Sequence, residues 1–174
     1  VTRTAALLLA AALACPAQAQ ESLPAAVTAE APGLTVRGTG TFRWLGLEIY
    51  TATLWTRGTT PDLDRPFALT LRYARTIKGS AIAARSVEEI ERLGTASPEQ
   101  LRAWGAAMNS LFPEVSKGAT LTGLNVPGKG ARFFHDGRPL GEISSAEFAR
   151  AFFSIWLDPQ SSAPALRAAL IGEG

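Results

Sequence analysis

The run from Phe133 to Pro159 constrains the fold more than any other stretch of the chain. Phe133-Phe134-His135-Asp136-Gly137-Arg138-Pro139-Leu140 sets Asp-Gly between two short segments. That pair tolerates the positive φ angles of a two-residue type I′ turn, so the run predicts a tight β-hairpin. A helix is predicted next. Ser144 with Glu147 three residues on reads as a capping box, and Asp158-Pro159 ends the helix because proline cannot continue it. Phe148, Ala151, Phe152, Ile155 and Trp156 share one side of that helix, which must therefore lie on a sheet. The same aromatic side is equally suited to wall an apolar cavity.

Upstream, Leu34, Val36, Phe42 and Trp44 alternate with Thr35, Arg37, Thr41 and Arg43, the period of a half-buried strand. Gly38 and Gly40 within it allow a bulge or a close backbone approach. Gly46 turns the chain into a second strand over 47–56, and 67–73 is a third. The stretch 80–93 carries Ile82, Ser86, Ile90 and Leu93 at helical spacing and stops at Gly94. Ser97-Pro98-Glu99-Gln100 opens another helix, on which Leu101, Trp104, Met108 and Leu111 recur. Strands return at 119–126, 131–135 and 138–143, before the aromatic helix and a final one. Strands, helices, strands and helices in that order predict an α+β domain, and hairpin-length loops predict a mainly antiparallel sheet covered on one face by helices.

The N-terminus is read apart from the fold. Arg3, the apolar run from Ala5 to Ala14, and Ala17-Gln18-Ala19 make residues 1–19 a secretory signal peptide cleaved after Ala19. A lipid anchor at Cys15 is the alternative, but Ala12 stands where such a signal carries leucine. Residues 20–33, rich in Ala and Pro, are expected to be an irregular lead-in, and 34–174 the single domain. The protein is thus expected in the periplasm or secreted. Cys15 is the only cysteine, so cleavage leaves no thiol for a disulfide, a zinc site or a nucleophile. The formal charge of +2 falls by one with Arg3, and the basic residues are scattered, which argues against nucleic acid as a partner. No later run reaches the roughly 20 apolar residues of a membrane span.

Several motifs dissolve on inspection. His135 is the only histidine, which excludes metal sites built on paired imidazoles, and it is expected to be exposed opposite Arg138 across the hairpin. Gly123, Gly128 and Lys129 imitate a phosphate loop, but Gly130 stands in place of Ser or Thr and a strand follows instead of a helix. Gly38-Thr39-Gly40 runs into a strand, unlike a dinucleotide fingerprint. No metal or cofactor is implied.

The hairpin, aromatic helix and Asp-Pro stop, with Ala163-Pro164-Ala165-Leu166-Arg167-Ala168-Ala169-Leu170-Ile171-Gly172 after them, resemble the C-terminal half of the bacterial chalcone isomerase-like proteins. The stretch from Gly38 to Trp55 resembles that family's Gly-x-Gly strand and the strand after it. The resemblance implies an open-faced β-sandwich, and a superfamily in which isomerases and fatty-acid binders share one fold. Many relatives turn an arginine into the ligand cleft two residues after the second glycine; here that place is Phe42, with Arg43 one step later. The plant enzyme's flavonoid-binding tyrosine and asparagine fall on Ile82 and Glu89. Its threonines fall on Leu45 and near Ile155. Those replacements remove the groups that orient a polyphenol and stabilise an enolate, so no chalcone isomerase activity is expected.

The remaining candidates for ligand binding are Arg43, Tyr50 and Tyr73, on three successive strands, where an arginine beside tyrosines suits a carboxylate or enolate at the end of an apolar pocket. Each also has a plain structural explanation, as a rim tyrosine or a solvated arginine. The favoured function is non-catalytic binding of an apolar carboxylate such as a fatty acid. The alternative is a cofactor-free isomerase, an intramolecular lyase acting on a chalcone-like enone, with Arg43 or Arg72 stabilising the oxyanion and Tyr50 or Tyr73 as acid. A third reading has the domain dock onto another protein through Trp55 and Trp104.

Overall fold

The computed structural model describes residues 22–59 and 62–173, so the expected signal peptide, its cleavage site and Cys15 lie outside the described residues. In chain order the elements are α1 (Ala25–Glu30), β1 (Thr35–Trp44), β2 (Leu47–Thr56), β3 (Phe67–Tyr73), α2 (Gly79–Leu93), α3 (Pro98–Leu111), β4 (Thr120–Val126), β5 (Gly130–His135), β6 (Arg138–Ile143), α4 (Ala146–Leu157) and α5 (Pro164–Ile171). The six strands form one antiparallel sheet in sequential order, with α2 and α3 inserted between the neighbours β3 and β4. The predicted turn pair adopts positive φ, Asp136 (47°) and Gly137 (78°), and between β1 and β2 the predicted turn glycine Gly46 (77°) is joined by Leu45 (49°).

One sheet face carries Leu54, Leu69, Leu71, Leu121 and Phe133, and α2 to α5 bury it. The aromatic side of α4 is the centre of this core. Phe148 and Phe153 are fully buried, with Phe67 4.8 Å from Phe153 and Phe133 5.2 Å from Phe152, ring centre to ring centre. The Gly-x-Gly of β1 serves close approach. A Cβ on Gly38 would lie 2.1 Å from the Ala169 carbonyl oxygen, so only glycine lets α5 rest on the edge strand. The other face is laid with threonine pairs, Thr41 with Thr51 and Thr70 with Thr122 among them.

Five expectations are corrected. The lead-in is not wholly irregular: α1 sets Val27 and Ala31 onto Trp55, Ala68, Leu124 and Phe134, covering part of the second face. Ser145, not Ser144, caps α4, accepting from the Phe148 amide, while Ser144 donates to Glu142. On β1 the alternation breaks, because a register shift between Val36 and Gly38 turns the strand, and Val36 and Trp44 stand exposed. His135 is half-buried rather than exposed, though it does face Arg138. Trp55 and Trp104 are core residues. Trp55 Nε1 donates to Thr70 and the Trp104 ring meets Phe148 edge-on, which removes both as docking contacts.

Candidate functional site

Where the C-terminal end of α4 and the middle of α2 leave the sheet, the core opens into a cleft of about 140 Å³. Its floor is Tyr50, Leu71, Tyr73 and Leu121 on the sheet, and its roof is Phe152, Ile155 and Trp156 on α4. Ile77, Ile82 and Arg85 close the α2 side, and the half-buried Phe42 and Ile49 mark the mouth. Larger depressions of about 570 and 540 Å³ lie between β4 and β6 and between α2 and α3. Their linings are far more polar than that of the cleft; in the first, Arg132 is already held by Glu30 and Glu142.

Cross-strand pairing builds the polar end of the cleft. Phe42 faces Tyr50 and Tyr50 faces Tyr73, so Phe42 stacks on Tyr50 (5.2 Å between centres) and Tyr50 meets Tyr73 edge-on (5.9 Å). The Tyr50 hydroxyl accepts from Trp156 Nε1 (3.0 Å), which ties β2 to α4. Its own proton has no protein acceptor among the described residues. The Tyr73 hydroxyl, on a buried side chain, has no hydrogen-bond partner there at all. Burial pushes the Tyr50 hydroxyl up to about 12, opposed by the Trp156 hydrogen bond. Tyr73 is raised further by burial and then by Tyr50 beside it. Both phenols are therefore neutral donors at any ordinary pH.

On the α2 side stands a charge network. Glu89, with 6% of its side chain exposed, accepts from Arg85, from Arg92 Nε (2.9 Å) and from Ser162 Oγ (2.9 Å). Arg85 also pairs with Glu88 (3.2 Å) and lies over the Trp44 ring, 5.7 Å from its centre. These charges balance, and every oxygen of Glu89 is engaged. The network fixes the cleft wall without presenting a spare cation inside it.

Of the predicted residues, Tyr50 and Tyr73 come together in the cleft and Arg43 does not. Arg43 is 59% exposed and pairs with Glu48 (3.3 Å). A register shift does occur next to it, but it leaves Ile49 unpaired on β2, after Phe42 has already turned inward. Arg43 thus keeps the opposite orientation, and the place where relatives carry arginine is filled by the Phe42 ring. Arg72 is exposed as well, donating to the Gly118 carbonyl (3.1 Å). Arg85, Glu89 and Ser162 were not singled out as a site. Arg85, Glu88, Glu89 and Arg92 have the three- and four-residue spacing of a solvated helix face, and only the α4–α5 connection, which brings Ser162 over Glu89, buries it. Ile82, Glu89 and Ile155, placed by resemblance at positions of the plant enzyme, all line the cleft, whereas Leu45 sits on an exposed turn.

Comparison with known proteins agrees with this architecture. The sequence profile of the chalcone isomerase-like family matches residues 17–172. An uncharacterised protein of Haemophilus influenzae is 29% identical over 137 residues, covering 78% of this chain and 67% of that protein. Among solved structures, an Arabidopsis thaliana fatty-acid binding protein superposes with a TM-score of 0.60 at 12% identity, covering 82% of this chain and 88% of that one. At that identity the likeness concerns the fold.

Proposed function

The chain belongs to the chalcone isomerase-like family, and from that premise we propose that it binds, without transforming it, an apolar molecule ending in a carboxyl group, such as a fatty acid. One observation carries the reading. Two phenolic protons, those of Tyr50 and Tyr73, lack a protein acceptor among the described residues, in a cleft walled mostly by hydrocarbon. Two neutral donors side by side complement the two oxygens of one carboxyl group, and a guest that supplies them satisfies groups the protein leaves unpaired. The fold neighbour that binds fatty acids supports the same class of ligand.

The volume sets the fit. A dry cavity of about 150 Å³ accepts a benzene-sized guest of six carbons, so this cleft of about 140 Å³ holds the carboxyl and roughly the three carbons after it. A longer chain leaves by the mouth, past Phe42 and Ile49. The isomerase alternative has less to support it. Arg43 and Arg72 lie outside the cleft, and phenols held this far above neutrality are poor proton donors to an enolate at ordinary pH.

Native mass spectrometry and thermal shift with acids of increasing length test the proposal. One bound acid per chain and a rising melting temperature are expected from octanoic acid upward. No bound acid and no shift at any length would defeat it; turnover of a chalcone, lost in Tyr50→Phe, would favour the isomerase instead. Export belongs to the same proposal and is supported by Arg3, the apolar run and Ala17-Gln18-Ala19. N-terminal sequencing of the secreted protein should begin at Gln20.

A further inference from the structure

The β1–β2 turn holds three of the four large apolar side chains exposed among the described residues: Trp44 at 55%, Leu45 at 86% and Leu47 at 53%. Single exposed apolar residues are ordinary on a soluble surface, but three within one four-residue turn are not. Apart from the Arg85 guanidinium over the Trp44 ring, the turn stands open: a Cβ on Gly46 would meet no atom within 4 Å.

Its surroundings are basic. The Ala74 amide bonds to the Ile49 carbonyl and Gly118 to Tyr73, and Ile77 bridges Val115, so the segments 74–78 and 115–118 come to the same end of the sheet as the turn. They carry Arg75, Lys78 and Lys117, all exposed, and none has an acidic partner among the described residues. Of the acids at this end, Glu48 is neutralised by Arg43 and Glu88 by Arg85, which leaves Glu114 and Asp136 against those three cations.

From this pairing we propose that the β1–β2 turn docks the protein onto the surface of an anionic lipid bilayer, with Leu45 at its tip and Trp44 at headgroup depth. An aromatic ring beside leucines, flanked by unpaired cations, matches the two layers of such a surface, the hydrocarbon edge and the negative headgroups. No described helix is long and apolar enough to cross a membrane, so the attachment is peripheral. Trp44 touches Arg85 on the cleft wall, and docking would bring the mouth to the membrane. The inference stands on the turn and its charges and does not need the cleft to bind a fatty acid.

The test uses vesicles free of fatty acid. Trp55, Trp104 and Trp156 are buried, so Trp44 reports the surface. Vesicles of phosphatidylglycerol and phosphatidylethanolamine should pellet the protein and shift its tryptophan emission to the blue; phosphatidylcholine vesicles should do so far less, and added salt should reverse it. Leu45→Asp should weaken the association at least tenfold. Its positive φ suits aspartate, so the fold tolerates the change. Arg75→Glu with Lys78→Glu should abolish the preference for anionic vesicles. No pelleting with any vesicle, or equal pelleting by wild type and Leu45→Asp, overturns the proposal. So does a blue shift without vesicles that grows with protein concentration, which would mark the turn as a contact between two copies. Fatty-acid uptake is measured separately, so failure of either idea leaves the other standing.

Discussion

Tyr73→Phe removes the hydroxyl proposed to receive the ligand, and the structure predicts opposite signs for its two effects. In the unliganded protein this hydroxyl has no partner among the described residues, on a side chain 3% exposed. The hydroxyl is open to the cleft, so water there relieves most of the roughly 1–3 kcal/mol that a fully buried unsatisfied polar group costs. Losing the hydroxyl should therefore leave stability unchanged or raise it by up to about 1 kcal/mol, a rise of at most roughly 2–4 °C in melting temperature. With octanoic acid bound, the same hydroxyl donates to the carboxyl. Its loss should cost about 1–2 kcal/mol of binding, or roughly five- to thirtyfold in affinity. Tyr50→Phe is the control of opposite character. It deprives Trp156 Nε1 of its acceptor, and a buried donor left unpaired should destabilise the unliganded protein by about 1–3 kcal/mol. Thermal melts without ligand and calorimetric titration with octanoic acid separate the effects. A Tyr73→Phe protein that melts several degrees lower and binds the acid normally would refute the assignment, since the hydroxyl would then be structural.

Three further outcomes follow from the same geometry. The chain has only two tyrosines, so absorbance of tyrosinate reads both cleft phenols directly. Their ionisation should begin above pH 10, with Tyr50 near 12. Because the folded value is raised, the contribution to stability is complete below pH 10 and is lost as pH climbs from 10 towards 12. A folded-state transition centred at 10, as for a free phenol, would contradict the burial. Glu89→Ala leaves Arg85 and Arg92 facing each other, and with both arginines partly solvated the loss should be about 2–3 kcal/mol in denaturant unfolding; Glu89→Gln, which keeps an acceptor, should lose less. Gly38→Ala presses a methyl into the α5 backbone and should cost about 1–3 kcal/mol by overpacking, whereas an unchanged melting temperature would mean that α5 does not lie on β1 in solution.

Local chemistry made most of the fold readable. The I′ turn at Asp136-Gly137, the capping box from Ser97 to Gln100 and the Gly94 stop are each decided by residues within one turn of one another, and each stands where the sequence puts it. The α4 cap fell one residue away because Ser144 and Ser145 are equally able to accept an amide, and only the bond from Ser144 to Glu142 chooses between them. Helix α1 was missed because six residues give no period to read, and its reason to be helical is long-range, the seat for Val27 on Trp55 and Phe134. The site was half legible. Tyr50 and Tyr73 sit on strands whose pairing follows from alternation, so they meet across β2 and β3. Arg43 went the other way because its orientation depends on where a register shift falls. Nor does helical spacing reveal that Glu89 is buried; that needs Ser162, seventy-three positions later, to close over it.

The central claim is that a carboxylic acid enters the cleft headgroup first, and a crystal structure of the protein with octanoic acid tests it most directly. The account predicts one acid per chain between Ile82 and Trp156, with its carboxyl within hydrogen-bond distance of the Tyr73 and Tyr50 hydroxyls. An acid lying the other way round, carboxylate at Arg85 and tail on the tyrosines, or a cleft that stays closed to it while the acid binds elsewhere, would contradict the account.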